Sequence, residues 1–482
     1  MAYTDLNAFL EKLEAQGELV RIKEPLDPYL EICEVTDRVC KTGGPALLFE
    51  NVKGKTIPVL TNLYGSMKRM CLALEVERLD QVGDELTALL KTEPPRTIRQ
   101  TLNLFPKLKR LRTLFPKTVT QAPCQEVVFK ENPDLSAYPI LTTWPLDAGP
   151  FITLPLVITK DPHSGRRNIG MYRLQVFDNR TLGMHWQTHK GGAQHFRLAE
   201  AAGKDLEVAV VLGPDPVLTY AATAPLPEEL DELMLAGFLR HAPVPLVKCL
   251  TVDLEVPANA QIVFEGVVKA GERRREGPFG DHTGYYSPSD DYPLMHLTCI
   301  TQRKNPIYPA TVVGIPPMED AYLGKATERI FLPLLRQTLP EIRDMHLPVA
   351  GAFHNFAFVS MDKRYPGHGK KVMHALWGLG QMMFSKFIIV FDSTVDVQDL
   401  NQVIWQWGAN VDPKRDTVLV EGPVDALDHA SPLPHLGSKM GFDATTKWPE
   451  EGLLRPWPEK ILMDPKVGER IDQIWQKLGI PK

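Results

Sequence analysis

Two carboxylates flank a rigid corner in the run Arg275-Glu276-Gly277-Pro278-Phe279-Gly280-Asp281-His282-Thr283-Gly284, and that pairing suits acid/base chemistry. Pro278 fixes one backbone dihedral and removes a donor, while Gly277, Gly280 and Gly284 allow sharp bends and close approach of backbone to a ligand. Glu276 and Asp281 are therefore expected on a rigid turn. Two acids confined in one site repel each other's charge, which predicts a raised pKa for one of them and a proton available near neutral pH. Taken alone, a run of this kind is more often a solvated acidic turn. The weight falls on what lies upstream.

The segment Asn168-Ile169-Gly170-Met171-Tyr172-Arg173 reads as strand, and its odd spacing predicts Asn168 and Arg173 on opposite faces. Further on, His185-Trp186-Gln187-Thr188-His189-Lys190-Gly191-Gly192 brings two histidines to a turn. A single histidine is usually a structural hydrogen-bonder, and Asn168, His189 and any later carboxylate are too far apart in sequence to make a metal motif. Other chemistries find no support. The six cysteines show no CxxC spacing, so buried free thiols are expected rather than zinc or disulfides. Gly367-His368-Gly369-Lys370-Lys371 lacks both the third glycine and the Ser or Thr of a nucleotide loop, and HExxH and GxSxG are absent.

The elements that must position these residues fall into three stretches, as a length of 482 suggests. Residues 1–117 alternate helix and strand signals and end in a basic segment, with Lys107, Lys109, Arg110, Arg112 and Lys117 among Leu104, Leu108, Leu111 and Leu114, which predicts a connecting helix. The opening helix carries Leu6, Phe9, Leu10 and Leu13 on one face and stops at Gly17. Residues 118–318 change to strand period. Ile152 to Lys160, Asn168 to Phe177 and Thr181 to Trp186 read as consecutive hairpins, Leu206 to Leu212 and Gln261 to Lys269 add strands, and one helix lies near Glu228 to Arg240. A barrel or sandwich follows. Residues 319–482 read strand (Asn355 to Met361), helix (Lys370 to Met383), strand (Phe387 to Phe391), helix (Leu400 to Trp407), strand (Thr417 to Val420), a βαβαβ pattern implying a parallel sheet. The terminal helix shows Val467, Ile471, Ile474, Trp475 and Leu478 on one face and must dock on its own chain or on a partner. The fold class expected is α/β in a multidomain arrangement.

Hydrophobic residues make up 44% and charged residues 23%, with a net charge of −5, which argues against a nucleic-acid partner. No signal peptide or membrane span is read, so a cytoplasmic protein is expected.

These stretches, with Gly43-Gly44-Pro45-Ala46-Leu47-Leu48-Phe49-Glu50, Gly314-Ile315-Pro316-Pro317 and Gly441-Phe442-Asp443-Ala444-Thr445, resemble the UbiD family of reversible decarboxylases over essentially the whole chain. The resemblance implies an N-terminal α/β domain, a central split β-barrel related to flavin reductases and a C-terminal α/β domain that mediates oligomers, dimer or hexamer. It implies prenylated FMN as cofactor, made by a flavin prenyltransferase. Carried over by position, the metal ligands, which also hold the cofactor phosphate, are Asn168, His189 and Glu232. His195 is a rival to His189, and the acids around Glu232 compete with it. This hard donor set suits Mn²⁺ or Mg²⁺ better than Zn²⁺, and a potassium ion near the same loop is a further implication. The catalytic network falls on Arg173, Glu276 and Asp281, with Arg173 also at the cofactor.

Loss of CO₂ from an aromatic carbon leaves an in-plane lone pair that the ring cannot absorb, so a cofactor must supply the electron sink. The resemblance implies a covalent adduct with prenylated FMN, protonation by Asp281, and Arg173 and Glu276 holding charge and substrate carboxylate. Where some members carry Glu, this chain has Asp281, one methylene shorter. Leu323-Gly324-Lys325-Ala326-Thr327-Glu328-Arg329, Glu421-Gly422-Pro423-Val424-Asp425 and Lys447-Trp448-Pro449-Glu450-Glu451-Gly452 lean to the menaquinone branch (1,4-dihydroxy-6-naphthoate) over the ubiquinone branch (3-polyprenyl-4-hydroxybenzoate). An aromatic carboxylase and a noncatalytic flavin-binding module stay open as alternatives.

Overall fold

The structure, a computed structural model, describes residues 3–90, 111–226 and 230–480. The expected connecting helix around Leu104 and Leu108 lies outside them; its described end is the short turn Arg112–Leu114, which leads into the strand Lys117–Thr118.

The opening helix Leu6–Ala15 starts where Asp5 accepts a hydrogen bond from the Ala8 amide, and it buries Leu6, Phe9, Leu10 and Leu13. Strands Leu19–Ile22, Ala46–Phe49 and Val59–Thr61 form a sheet completed by Tyr308–Pro309 from much later in the chain. The first stretch is thereby stitched to the second. Phe9 and Leu13 share one core with Val211, Val263 and Ala326.

The central nine-stranded sheet runs in the order Phe151–Ile152, Leu174–Val176, Thr181–Met184, Asp290–Gln302, Ile262–Glu276, Leu206–Leu212, Leu156–Lys160, Arg167–Met171, with Val127–Phe129 added beside Asp290–Gln302. One expected strand is corrected here. Asn168 to Phe177 is two strands, Arg167–Met171 and Leu174–Val176, which pair with different neighbours. Only Tyr172 and Arg173 separate them, yet they lie toward opposite ends of the strand order. The sheet must curl until those ends approach, giving a half-barrel. Asn168 and Arg173 accordingly sit on either side of a break and not on one regular strand; Met171, the last residue of the edge strand, still faces Leu156 while its outward amide donates to the Ala222 carbonyl.

Among the described residues three helices accompany this sheet where one was expected: Gly191–Ala201, Pro216–Ala221 and Glu232–Arg240. The first opens on two glycines, which read as turn.

The C-terminal sheet has the order Ile342–His346, Phe356–Met361, Phe387–Asp392, Leu436–Asp443, Thr417–Pro423. Its three central strands are parallel, as a βαβ pattern requires, but the third of them is Leu436–Asp443. Thr417–Pro423, expected in that place, is an antiparallel edge strand. The long helix Asp320–Thr338, which the sequence reading passed over, links this sheet to the half-barrel. The terminal helix Pro465–Ile474 buries none of its residues.

Candidate active site

The break in the curled sheet puts Arg173 at its opening, opposite the end of the long strand Ile262–Glu276. Arg173 Nε donates to Glu276 Oε1 at 2.9 Å and its NH2 reaches Ser287 Oγ at 3.0 Å. A second fork nitrogen pairs with Asp281 Oδ2. The guanidinium lies over the Phe279 ring, 4.9 Å from its centroid. Gly277 turns the chain between the two acids with φ of +84°, where a side chain would be strained, and its amide donates to Gln175 Oε1 at 2.8 Å. One arginine thus takes both carboxylates of the motif.

That pairing reverses the expected electrostatics. Burial works to raise Glu276, but the hydrogen bond from His185 Nδ1 (3.2 Å) and the Arg173 charge outweigh it and bring the group down to about 2. For Asp281, burial is again overcome, here by the His282 ring at 2.7 Å from Oδ1 and by Arg173, so the carboxyl is held well below the usual range. Neither acid is raised, and Asp281 is an anion at rest. Mutual repulsion between the two acids is overridden because a cation stands between them. His185, desolvated and beside Arg173, is pushed down and is neutral at pH 7, so its Nδ1–H donates to Glu276 while the ring packs on Tyr292 with centroids 4.3 Å apart.

A second cluster lies on the other side of the break. The Ile169 amide, next to Asn168, donates to Glu232 Oε2 at 3.0 Å. Asn168 Oδ1 packs so closely on Gly191 that a Cβ there would lie 2.1 Å from it, so a side chain at this position would push the Asn168 amide out of its place at the start of the helix Gly191–Ala201. Burial pushes Glu232 up to about 7. Trp186 Nε1 beside Gly192 is buried without a partner among the described residues. A carboxylate with no ion-pair partner at contact distance among the described residues, an amide oxygen and a helix N-terminus are donors that would suit a hard cation and a phosphate. His189 is not joined to the other two by any direct contact described: its ring packs on Phe384, centroids 4.7 Å apart, from the C-terminal part of the chain. His195 is buried on the helix, with Nδ1 2.9 Å from Thr159 Oγ1.

Family models for the 3-octaprenyl-4-hydroxybenzoate carboxy-lyase match in three parts: the N-terminal domain at residues 10–89, the Rift-related domain at 117–316 and the C-terminal domain at 321–444. The chain is 56% identical over 481 residues to an uncharacterized protein of Aquifex aeolicus, covering 99% of each. Among solved structures, it resembles the UbiD-class enzyme HmfF from Pelotomaculum thermopropionicum in complex with FMN, with 32% identity, 96% of this chain and 98% of that one covered, and TM-score 0.81. It also resembles the vanillic acid decarboxylase of Sedimentibacter hydroxybenzoicus in closed form, with 30% identity, all of both chains covered and TM-score 0.87. The chain belongs to the UbiD family, whose enzymes are prenylated-FMN-dependent decarboxylases.

Several neighbours of the site carry no role in the sequence reading: His185, Ser287, Tyr292, His282 and, from the C-terminal domain, His354. Two of them had a visible signal: His185, one of two histidines brought to a turn, and His282, directly after Asp281.

Proposed function

We propose that this UbiD-family decarboxylase removes CO₂, reversibly, from an aromatic hydroxy acid, and that its substrate is 1,4-dihydroxy-6-naphthoate in the menaquinone branch of quinone biosynthesis. The observation that carries the decarboxylase chemistry to particular residues is the single Arg173 fork holding buried Glu276 and Asp281. Prenylated FMN, when bound, supplies the electron sink that the side chains lack. Arg173 and Glu276 fix the charge and orient the substrate carboxylate, and Asp281 delivers the proton that takes the place of CO₂. Asn168, His189 and Glu232 would hold Mn²⁺, or Mg²⁺, which with K⁺ would supply positive charge for the cofactor phosphate.

The protein works in the cytoplasm as a homo-oligomer, dimer or hexamer, and takes its cofactor from a flavin prenyltransferase. The uncovered terminal helix Pro465–Ile474, with Trp475 and Leu478 exposed after it, supports docking on a second copy. Among the described residues no helix is long and apolar enough to cross a membrane.

The substrate assignment is tested with protein co-expressed with a flavin prenyltransferase, its cofactor checked by absorption spectrum and mass. CO₂ release is then followed from the naphthoate and from a series of 3-alkyl-4-hydroxybenzoates. Each buried methylene contributes about 0.8 kcal/mol, so a prenyl channel would make affinity climb steeply with tail length. We expect naphthoate turnover and no such climb. A steep climb without naphthoate turnover reassigns the enzyme to the ubiquinone branch.

A further inference from the structure

A second cation stands directly behind the Arg173 network. His282 presents Nδ1 to Asp281 Oδ1 at 2.7 Å and Nε2 to the Nε2 of His354 at 2.9 Å. His354 belongs to the loop entering the strand Phe356–Met361 of the C-terminal sheet. The two residues before it, Ala352 and Phe353, adopt left-handed φ of 51° and 45°, a costly conformation for residues with side chains. The loop so bent lays the Phe353 ring over His282, centroids 5.3 Å apart and 29° from parallel. Two unfavourable backbone conformations thus converge on one imidazole.

Decarboxylation consumes one proton per turnover. Asp281 does not hold it, because His282 and Arg173 keep the carboxyl ionised. Of the N–H groups on Asp281, those of the Arg173 guanidinium and the His282 backbone amide do not dissociate, so the transferable proton is the one on His282 Nδ1. Burial opposes charge on that ring, but the hydrogen bond and charge of Asp281, with Asp320 and Asp425 beyond it, push it up to about 9. Burial and the His282 charge bring His354 down to about 4, against the pull of Asp425, Asp281 and Asp428. At neutral pH an imidazolium therefore faces a neutral imidazole. His282 Nε2–H donates to the bare Nε2 of His354, whose own proton is on Nδ1, buried without a partner among the described residues.

This rests on the reading of Asp281 as the group that protonates the product carbon. We propose that His282 loads Asp281 with that proton, and that His354, reaching across from the C-terminal domain, keeps His282 in the cationic form that can do so. Both are positioning residues acting through Asp281. In each turnover the Nδ1–H bond of His282 breaks as an O–H bond forms on Asp281. That O–H bond breaks as the product C–H bond forms in place of the bond to CO₂. The neutral imidazole then takes one proton from water. The active-site acid is recharged from a pair of rings that exists only where the two domains meet.

The test uses His282→Gln, His354→Phe and His354→Gln in cofactor-loaded protein, with kcat followed against pH. A proton-loading His282 makes wild-type kcat fall with rising pH around a midpoint near 9. His282→Gln, whose amide still holds Asp281 but carries no transferable proton, should lose at least ~100-fold in kcat and lose that alkaline limb. His354→Phe should move the limb down by ~0.5 pH unit or more, since the cation loses its acceptor. His354→Gln, whose amide oxygen accepts the Nε2–H, should move it back. Histidine ring NMR on the cofactor-free protein gives a readout independent of turnover: His282 titrates near 9, and lower in His354→Phe. A His282 ring titrating near the ordinary 6.5, or a His282→Gln enzyme with wild-type kcat and limb, overturns the proposal. If the wild type released no CO₂ from any aromatic acid, the functional reading would fall instead, and the ring titration would still decide the histidine pair.

Discussion

Glu276, at the end of a half-barrel strand, and Glu232, on a helix that reaches the same half-barrel through the Ile169 amide, are both shielded carboxylates driven in opposite directions. Glu276, fully buried, comes down to about 2 because Arg173 and the His185 N–H are already in place. Glu232 rises to about 7 because burial is opposed only by backbone N–H groups and the Arg167 charge, with Asp231 adding repulsion. The difference separates two kinds of site. Around Glu276 the chain supplies every counter-charge itself, so the proton-handling side is complete as folded. Around Glu232 backbone N–H groups and the Arg167 charge leave burial uncompensated, which is the electrostatic setting that the proposed metal would relieve.

The largest effect is expected from removing the shared cation. Arg173→Met would leave Glu276 and Asp281 buried and facing each other unpaired. Stranding one partner of a buried pair costs about 3–5 kcal/mol, so the variant should lose that much in urea unfolding and all measurable turnover. Arg173→Lys keeps a charge but not the fork, and one ammonium cannot hold both carboxylates in plane; it should recover most of the stability and little of the turnover. If Arg173→Met unfolded at the wild-type urea midpoint, Glu276 would not owe its ionisation to the arginine, and the contrast with Glu232 would lose its cause.

Much of this arrangement is legible in the sequence. The turn from Glu276 to Gly284 announces itself through Gly and Pro punctuation, and the alternating strands from Leu156 onward announce a curled sheet. The break at Tyr172-Arg173 shows only as a one-residue change of phase, from Ile169 and Met171 to Leu174 and Val176, which a continuous strand reading passes over; the different pairing partners on either side are what mark it. The strand Leu436–Asp443 was hidden by Gly437, Lys439 and Gly441; its central position is set by its neighbours rather than by its own β-propensity. Helix Asp320–Thr338 carries Pro333 in its interior, a residue that ordinarily argues against helix. The pairing of Arg173 with both acids came from family resemblance, since the partners are more than a hundred positions apart. The sign of the resulting pKa shifts needed distances. His354 had no signal, being one histidine in a loop whose shape depends on two left-handed residues before it.

A smaller and sharper pair of effects follows from Glu276→Gln and Glu232→Gln in protein free of metal and cofactor. For Glu276, with a folded value near 2 against 4.5 unfolded, the ionised form contributes roughly 3 kcal/mol. That contribution is fully present above about pH 4.5 and is lost as pH falls toward 2. For Glu232, near 7 against 4.5, the sign is opposite: a penalty is absent below about pH 4.5, grows as pH rises to 7 and is constant above. At pH 8, therefore, Glu276→Gln should destabilise and Glu232→Gln should stabilise, the second by about 1–3 kcal/mol. At pH 4.5 the Glu232→Gln gain should have largely vanished. When Mn²⁺ is added back, the Glu232→Gln protein should bind it at least ~10-fold more weakly than wild type. Urea midpoints at the two pH values and metal analysis decide it, and equal signs for the two variants at pH 8 would erase the comparison.

The smallest effect concerns how the work at Glu276 is divided between Arg173 and His185. His185 is neutral, so what it gives Glu276 is one N–H hydrogen bond at 3.2 Å and not a charge. His185→Gln keeps a donor of similar reach and should stay within about 1 kcal/mol of wild type, because a typical intramolecular hydrogen bond contributes about that much. His185→Leu removes the donor and should cost about 1–2 kcal/mol, shifting the acid-unfolding midpoint upward because Glu276 would take up its proton at higher pH. Both variants lose the ring packing on Tyr292, so the difference between them isolates the hydrogen bond. Should His185→Gln prove as damaging as Arg173→Met, the histidine would be carrying charge after all, and Glu276 would be held down by two cations rather than one.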